Sequence, residues 1–151
     1  MNYLSKLVSK TLDLMNGRAV DQCGAICYRT DRDGTLLVLL ISSRGTGRWV
    51  IPKGTVESGE KSHKAAEREA REEAGVKGKA EKHPCGYFTY VKDDTKPPFI
   101  VSVHLLRVES LSQDFPEKGQ REHLWITPQE ASKLVTEPEL QGLFRHANKR
   151  P

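Results

Sequence analysis

The sequence predicts one α+β domain, or a layered α/β/α domain, in which strands form a sheet covered by helices. Three observations support this class. The chain has 151 residues, which is enough for one hydrophobic core and too few for two ordinary domains. Its 36% hydrophobic and 29% charged residues are typical of a globular protein. The predicted elements run in the order strands, one long helix, more strands and then helices, without an internal repeat.

The first part of the chain is predicted to contain a leader helix and a β-hairpin. Apolar residues recur at helical spacing in residues 1–17, which predicts a short amphipathic helix that packs on the domain or frays. Residues 18–151 are predicted to form the single domain. The apolar run Gln22–Arg29 and the strand-like Thr35–Ile41 flank Asp33-Gly34, and this dipeptide predicts a hairpin turn.

A helix of about four turns is predicted at Lys61–Ala74. The segment has neither glycine nor proline and is rich in good helix formers, and Gly75 stands where a C-terminal cap is expected. Upstream, the short apolar stretch Trp49–Ile51 stops at Pro52. Lys53-Gly54 is then expected to open a loop that leads into the helix.

Three more strands and two helices are predicted in the second half. The strands are Tyr87–Val91, Phe99–Val108 and His123–Ile126, with a polar turn containing Asp93-Asp94 between the first two. Thr127, Pro128 and Glu130 match a capping box with proline at the first helical position, so a helix is expected to begin there. The last helix is predicted at Glu137–Asn148.

The charge and the cysteines narrow the function classes. A net charge of +4 and a pI near 9.0 favour anionic partners, which include nucleic acids, acidic membranes and polyphosphates. No stretch reaches the roughly 20 apolar residues of a membrane span, and the N-terminus lacks a signal-peptide core, so a cytoplasmic protein is expected. Cys23, Cys27 and Cys85 lack CxxC spacing, which predicts buried reduced thiols.

Three glutamates of the long helix carry the clearest chemical signal. Because residues three and four apart share a helix face, Glu69 meets both Glu72 and Glu73 at one surface, where the carboxylates would repel each other. A hard cation such as Mg²⁺ prefers these oxygen ligands, with phosphate and water completing its shell. The alternative is a solvated helix with ion pairs to neighbouring basic residues. Gly54 favours the metal site, because glycine permits close backbone approach and its carbonyl can add a neutral ligand.

The stretch of 23 residues from Gly54 to Val76 resembles the Nudix signature, which is glycine, five residues, glutamate, seven residues, then Arg-Glu-aliphatic-x-Glu-Glu-x-Gly-aliphatic. Its one departure is Ala70, where a larger aliphatic residue is usual. The positions that match in register are Gly54, Glu60, Arg68, Glu69, Glu72, Glu73, Gly75 and Val76. A match of this length is far more specific than a lone GxGxxG. The chain therefore resembles the Nudix hydrolase (MutT-like) superfamily.

The resemblance implies a strand-loop-helix catalytic unit in a Nudix-type α/β/α sandwich with a mixed sheet. Glu69 and Glu73 are implied as principal ligands of Mg²⁺ or Mn²⁺, with the Gly54 carbonyl as a further ligand. Glu72 is implied as a ligand or as the base that activates water. Glu122 lies where some members place another acidic ligand, and an exposed charge at a strand edge is the alternative.

The implied reaction is attack by a metal-activated water on a phosphorus atom of a diphosphate or polyphosphate. Arg68 belongs to the catalytic motif, and the resemblance implies that it pairs with Glu60 to hold the helix and the loop together. Three segments are similar to the diphosphoinositol polyphosphate phosphohydrolase branch, namely GRAVDQCGAICYR, ISSRGTGRWVIPKGTVESGE and EEAGVKGKAEK. That branch includes enzymes acting on diadenosine polyphosphates. Pro52-Lys53-Gly54 replaces the Pro-Gly-Gly that is usual in animal members of that branch, so either substrate class is open.

Basic and polar residues around the motif are candidates for binding the polyphosphate, because guanidinium groups suit phosphate oxygens. Each of them alone has an ordinary solvated side chain as its alternative. Tyr87, Phe88 and Tyr90 offer weaker support for stacking on a nucleobase. The candidate substrate-binding residues are Arg18, Ser43, Arg44, Arg48, Lys53 and Arg121.

Three other functions compete with this interpretation. A nucleotide-directed Nudix pyrophosphatase would act on nucleoside triphosphates, ADP-ribose or RNA caps. A non-catalytic module would bind a nucleotide or an inositol phosphate, although such modules usually lose signature glutamates. A nucleic-acid-binding protein is suggested by pI alone and would show strongly salt-dependent binding. A small anionic polyphosphate is thus the expected partner, without a stable nucleic acid complex or membrane contact, and the sequence leaves the oligomeric state open.

Overall fold

The computed structural model describes residues 19–92 and 95–147. The predicted leader at 1–17, Arg18 and Asp93-Asp94 lie outside the described residues. None of the helices in the described ranges has the length and the apolar character needed to cross a membrane. The strands are β1 (Val20–Thr30), β2 (Leu36–Ser42), β3 (Trp49–Val50), β4 (Lys53–Thr55), β5 (Val76–Ala80), β6 (Gly86–Tyr90), β7 (Phe99–Leu111) and β8 (His123–Ile126). The helices are α1 (Ser62–Ala74), α2 (Pro128–Leu134) and α3 (Pro138–Ala147).

A parallel pair of long strands forms the centre of the sheet. β1 and β7 run side by side from the pair Val20↔Phe99 to the pair Tyr28↔Arg107. β2 and β4 pair antiparallel with β1, and β5 and β6 pair antiparallel with β7. β3 and β8 both pair antiparallel with β2. The sheet is therefore mixed, and the α+β class is confirmed.

Local signals at turns and helix ends are confirmed. In the hairpin between β1 and β2, Gly34 has φ +81° and Asp31 Oδ1 accepts hydrogen bonds from the backbone N–H groups of Asp33 and Thr35. Gly75 caps α1 in the left-handed region with φ +69°. At the start of α2, Thr127 has the predicted reciprocal capping box. These turns depend on nearby residues only, which makes them readable from sequence.

Two strands differ from the expectations. Lys53-Gly54 was expected in a loop but lies in β4, because Gly54 pairs with Cys23 and Lys53 pairs with Gly24 on β1. β5 was not predicted, since its sequence Val-Lys-Gly-Lys-Ala has weak apolar alternation. Both strands form through pairing with a partner that is distant in sequence, and such pairing leaves little local signal.

The two faces of the sheet carry different hydrophobic cores. We call the side covered by the long helix the α1 core and the opposite side the α2/α3 core. The α1 core contains Cys23, Ala25 and Cys27 of β1, packed against Ala65, Ala66, Ala70 and Ala74 of α1. The α2/α3 core contains the larger side chains Ile26, Ile51, Phe88, Leu140 and Phe144. Cys23 and Cys27 are buried thiols, as predicted, whereas Cys85 is only half-buried.

Candidate active site

Helix α1 carries the three signature glutamates along the face and edge that meet the sheet. Glu69 and Glu73 are buried, with 9% and 8% of their surface exposed, and they lie one turn apart. The Glu72 side chain is 33% exposed and lies at the edge of that face. The shared face predicted by the spacing is therefore present, and two of its three carboxylates are largely removed from water.

Gly54 on β4 lies directly against the carboxylate of Glu69. A Cβ atom built on Gly54 would overlap the carboxylate group of Glu69. The backbone of Gly54 does not have positive φ, so glycine is required here for space. Its carbonyl oxygen accepts a long hydrogen bond from the Cys23 thiol, with Sγ at 3.6 Å. Because Gly54 has no side chain, its backbone and carbonyl group can lie next to the buried carboxylate of Glu69.

Arg68 joins the helix to the preceding loop. Its guanidinium forms a bidentate ion pair with Glu60, with N–O distances of 2.9 and 3.0 Å, and donates to the carbonyl of Thr55 at 3.0 Å. Its Nη1 lies 2.9 Å from Glu69 Oε1 and 3.4 Å from Glu72 Oε2. The predicted Arg68–Glu60 pair is present, and Arg68 also offsets the charge of two glutamates. Across the described ranges, no three Asp, Glu, His or Cys side chains are arranged as a preformed metal cluster.

Burial changes the proton affinity of the acidic groups. Desolvation raises the pKa of Glu73 to about 8, although Arg121 and the backbone N–H of Lys53 act in the opposite direction. Desolvation also raises the pKa of Glu69, and hydrogen bonding to Arg68 partly offsets it. The pKa of Glu60 is lowered because its carboxylate accepts hydrogen bonds from Arg68. Glu69 and Glu73 therefore favour a cation or a proton beside them, whereas Glu60 is satisfied by Arg68.

An open cavity of about 610 Å³ adjoins the catalytic helix at Glu73. The structure brings together all of the described candidates for substrate binding in its wall. These are Ser43, Arg44, Arg48, Lys53 and Arg121. Arg18, the sixth candidate, lies outside the described residues. Lys92 lines the same wall and was not singled out from the sequence. The charged residues of the cavity wall are thus mainly cationic, and they include one signature glutamate.

The cationic residues differ in how they are held. Arg121 is 9% exposed, and its guanidinium contacts Glu117 at 3.0 Å, the Ser42 carbonyl at 3.1 Å and Glu73 at 3.6 Å. Arg121 therefore contacts Glu73 and also lines the cavity. Arg44 and Arg48 are exposed. Arg44 donates to Gln120 at 2.9 Å and lies 3.7 Å from Glu117, and Arg48 donates to Thr136 at 3.1 Å and lies 3.6 Å from Glu137.

Two other predictions have different geometries. Glu122 is exposed, and its backbone pairs with Ser42. Its role as a metal ligand stays a prediction. Lys53 lies in β4 with its ammonium 4.7 Å from the centre of the Tyr90 ring, and burial lowers its pKa. Lys53 is therefore held beside the cavity.

The aromatic residues of β6 do not form one stacking platform. Phe88 is 2% exposed and belongs to the α2/α3 core, while Tyr87 is 56% exposed. Tyr90 stacks on Phe99 with ring centres 4.8 Å apart, and its hydroxyl donates to Gln22 at 2.8 Å. Strand alternation places Tyr87 on the opposite face from Phe88 and Tyr90. The rings of Phe88 and Tyr90 lie 6.2 Å apart, and both residues line the cavity.

Comparisons with known proteins agree with this geometry. The NUDIX domain family model matches residues 21–146. Human diphosphoinositol polyphosphate phosphohydrolase 3-alpha is 34% identical over 116 residues, which cover 76% of this chain and 68% of that protein. Mitochondrial Nudix hydrolase 12 of Arabidopsis thaliana is 37% identical over 105 residues, 66% of this chain and 52% of that protein. A solved structure of C. elegans Ap4A hydrolase superposes with a TM-score of 0.67 at 26% identity, covering 84% of this chain and 93% of that one.

Proposed function

The chain belongs to the Nudix family and is a Nudix hydrolase, and we propose that it uses Mg²⁺ to cleave a diphosphate or polyphosphate linkage in a small anionic substrate. Two substrate classes come from its relatives, which include a diphosphoinositol polyphosphate phosphohydrolase and an Ap4A hydrolase. We propose residues 18–151 as the catalytic domain and residues 1–17 as a separate leader.

One observation carries the proposal. Glu69 and Glu73 are both buried, Glu69 lies against Gly54, and Glu73 lines a cavity whose other charged residues are mainly cationic. Two carboxylates and a neighbouring carbonyl oxygen are the donor set that Mg²⁺ prefers. Desolvation raises the pKa of both carboxylates, and a cation bound beside them would stabilise their charged forms. The residues therefore fit a hard divalent cation.

Each residue then has a distinct part in the reaction. Glu69, Glu73 and the Gly54 carbonyl would hold the cation, with Glu72 as a further ligand or as the base that would take a proton from water. A bound Mg²⁺ or Mn²⁺ ion would neutralise negative charge on the phosphate oxygens. Arg68 fixes α1 to the loop through Glu60. The cationic side chains of the cavity wall bind and orient the polyphosphate.

Chromatographic separation of the products from a substrate panel tests this function, because cleavage of diadenosine tetraphosphate or ADP-ribose yields nucleotides or a sugar phosphate without free inorganic phosphate. The panel contains diadenosine tetraphosphate, a diphosphoinositol polyphosphate, ADP-ribose and nucleoside triphosphates, each with Mg²⁺, Mn²⁺ or a chelator. We expect cleavage of one class only with metal, and a loss of more than about 100-fold in kcat/KM for Glu69→Gln and Glu73→Gln.

Glu67→Gln is the matched control, since Glu67 lies on the same helix and accepts a hydrogen bond from Ala80 N–H that glutamine can retain. Its activity should stay near that of the wild-type protein. Tight binding of one compound without hydrolysis in either metal would refute the proposal and indicate a binding module.

A further inference from the structure

The active-site cavity contains a second buried carboxylate, Glu137, which lies outside the Nudix signature. Glu137 precedes α3 directly, and its side chain is 10% exposed. It lines the same cavity as Glu73, and Lys53 experiences the charge of both carboxylates. The cavity therefore has one acidic group on the α1 side and another on the α3 side.

The two oxygens of Glu137 have different surroundings. Oε2 accepts a hydrogen bond from the Thr136 hydroxyl at 3.1 Å and lies 3.6 Å from Arg48 Nη1. Among residues 19–92 and 95–147, no donor contacts Oε1, and no enclosed side-chain oxygen in those ranges lacks a partner. Oε1 is therefore not enclosed, and it is the oxygen that can face the cavity. A carboxylate oxygen in this position can accept a hydrogen bond from a ligand.

The chemistry of this oxygen restricts the group that can lie against it. A hydroxyl or amino group can donate to Oε1, whereas an ionised phosphate has only acceptor oxygens and is repelled by the carboxylate. Arg48 contacts Oε2 and is itself exposed, so it can bind a phosphate elsewhere in the cavity. The wall at Glu137 thus fits an uncharged part of a substrate whose phosphates lie toward Glu73.

Building on the proposed function, we propose that Glu137 determines specificity by accepting a hydrogen bond from an uncharged hydroxyl or amino group and by excluding phosphate from its wall. A linear polyphosphate with a sugar or base at its end supplies such a donor. A ring with phosphate on every carbon has none to offer. The inference therefore deepens the proposed function by favouring the first class of substrate.

Two variants distinguish the effect of the charge of Glu137 from the effect of its side-chain length. Glu137→Gln keeps the size and one oxygen acceptor but removes the charge. We expect the ratio of kcat/KM values to move about tenfold away from diadenosine tetraphosphate and toward a diphosphoinositol polyphosphate, mainly through KM. Glu137→Asp keeps the charge and shortens the side chain. It should raise KM for diadenosine tetraphosphate without improving the diphosphoinositol reaction.

Glu139→Gln is the control, because Glu139 is exposed on the same helix. It should leave the ratio unchanged. The same comparison is made by calorimetric titration of the metal-free protein with diadenosine tetraphosphate and with inositol hexakisphosphate, which requires no hydrolysis. Absence of cleavage by the wild-type protein would refute the proposed function alone. An unchanged binding ratio in folded Glu137→Gln, or binding of neither compound, would overturn the role of Glu137.

Discussion

The two faces of the sheet differ in the size of the side chains that pack on them. Where α1 packs on β1, the α1 core consists of alanines and cysteines, with Leu39, Ile41 and Leu106 beside them. The two buried phenylalanines, Phe88 and Phe144, belong to the α2/α3 core. Small side chains allow a helix to approach a sheet closely, and this closeness places the Glu69 carboxylate against Gly54. Large side chains bury more apolar surface, and each contributes about 1.5–3 kcal/mol. The α1 side therefore positions the Glu69 carboxylate, and the α2/α3 side provides more hydrophobic stabilisation per residue.

Polar contacts compensate for the small side chains under α1. Arg68 ties the helix to Glu60, and Glu67 accepts a hydrogen bond from the Ala80 backbone. Ser62, the first residue of the helix, contacts the buried His104 of β7 at 2.6 Å. Hydrogen bonds have stricter geometry than apolar contacts, so they fix the position of a helix more closely.

The largest effect on stability is expected in the α2/α3 core. Phe144→Ala should lower the free energy of unfolding by about 3–5 kcal/mol, because Phe144 is fully buried and the substitution leaves a cavity. Phe144 does not line the active-site cavity, so activity per folded molecule should change little. Denaturant unfolding and kcat measured on the folded fraction check this. Leu134→Ala, at a residue that is 41% exposed, should cost far less. If folded Phe144→Ala also lost most of its kcat, the α2/α3 core would position the active site as well as stabilise the fold.

The elements that the sequence predicted best are those with local causes. Helix α1 was expected at Lys61–Ala74 and lies at Ser62–Ala74, because its residues favour a helix and Gly75 can adopt the left-handed cap. β4 and β5 were not recognised because each depends on a partner strand that is distant in sequence. Pairing of that kind is decided by packing, which composition does not reveal.

The same distinction applies to the site. The spacing of Glu69 and Glu73 placed them on one helix face, and the structure buries both. Spacing did not distinguish Arg121 from Arg44, although the first is buried beside Glu73 and the second is exposed. Glu137 was missed altogether, since its place in the cavity depends on how α2 and α3 pack on the sheet.

The next largest effect is expected on activity, from a change that moves the Glu69 carboxylate on the α1 side. Gly54→Ala should lower kcat/KM by about 100-fold, or about 2.7 kcal/mol, because the new methyl group would displace the Glu69 carboxylate. Stability should fall much less than in Phe144→Ala. Steady-state kinetics with saturating Mg²⁺ and thermal unfolding measure both quantities.

A glycine on the other face gives the matched control. Gly142 lies inside α3, where an added Cβ would meet only Arg145 Nη2 at 4.0 Å. Gly142→Ala should therefore raise stability by about 0.5–1 kcal/mol through helix propensity and leave activity unchanged. Similar kinetic losses in both variants would show that close approach at Gly54 is not what positions Glu69.

The smallest effect expected is a pH dependence of stability, caused by the buried His104 that contacts α1. His104 is fully buried, its Nδ1 donates to the Glu81 carbonyl at 2.7 Å, and its Nε2 accepts from the Ser62 hydroxyl. Burial lowers the pKa of His104 from its usual 6.5. Below pH 6.5 the unfolded chain binds a proton that the folded chain refuses, so this contribution to stability is lost as pH falls. One such group changes stability by at most about 1.4 kcal/mol per pH unit.

Unfolding free energies of the wild-type protein and His104→Gln between pH 5 and 8 isolate this effect. Glu73 acts in the opposite sense, since its raised pKa of about 8 makes stability decrease as pH rises from 4.5 through that value. The difference between the two proteins cancels the contribution of Glu73, and it should shrink as pH falls below 6.5. His146→Gln, at an exposed residue of α3, should show no such trend. A constant difference for His104→Gln would mean that the histidine holds α1 in a manner independent of its protonation.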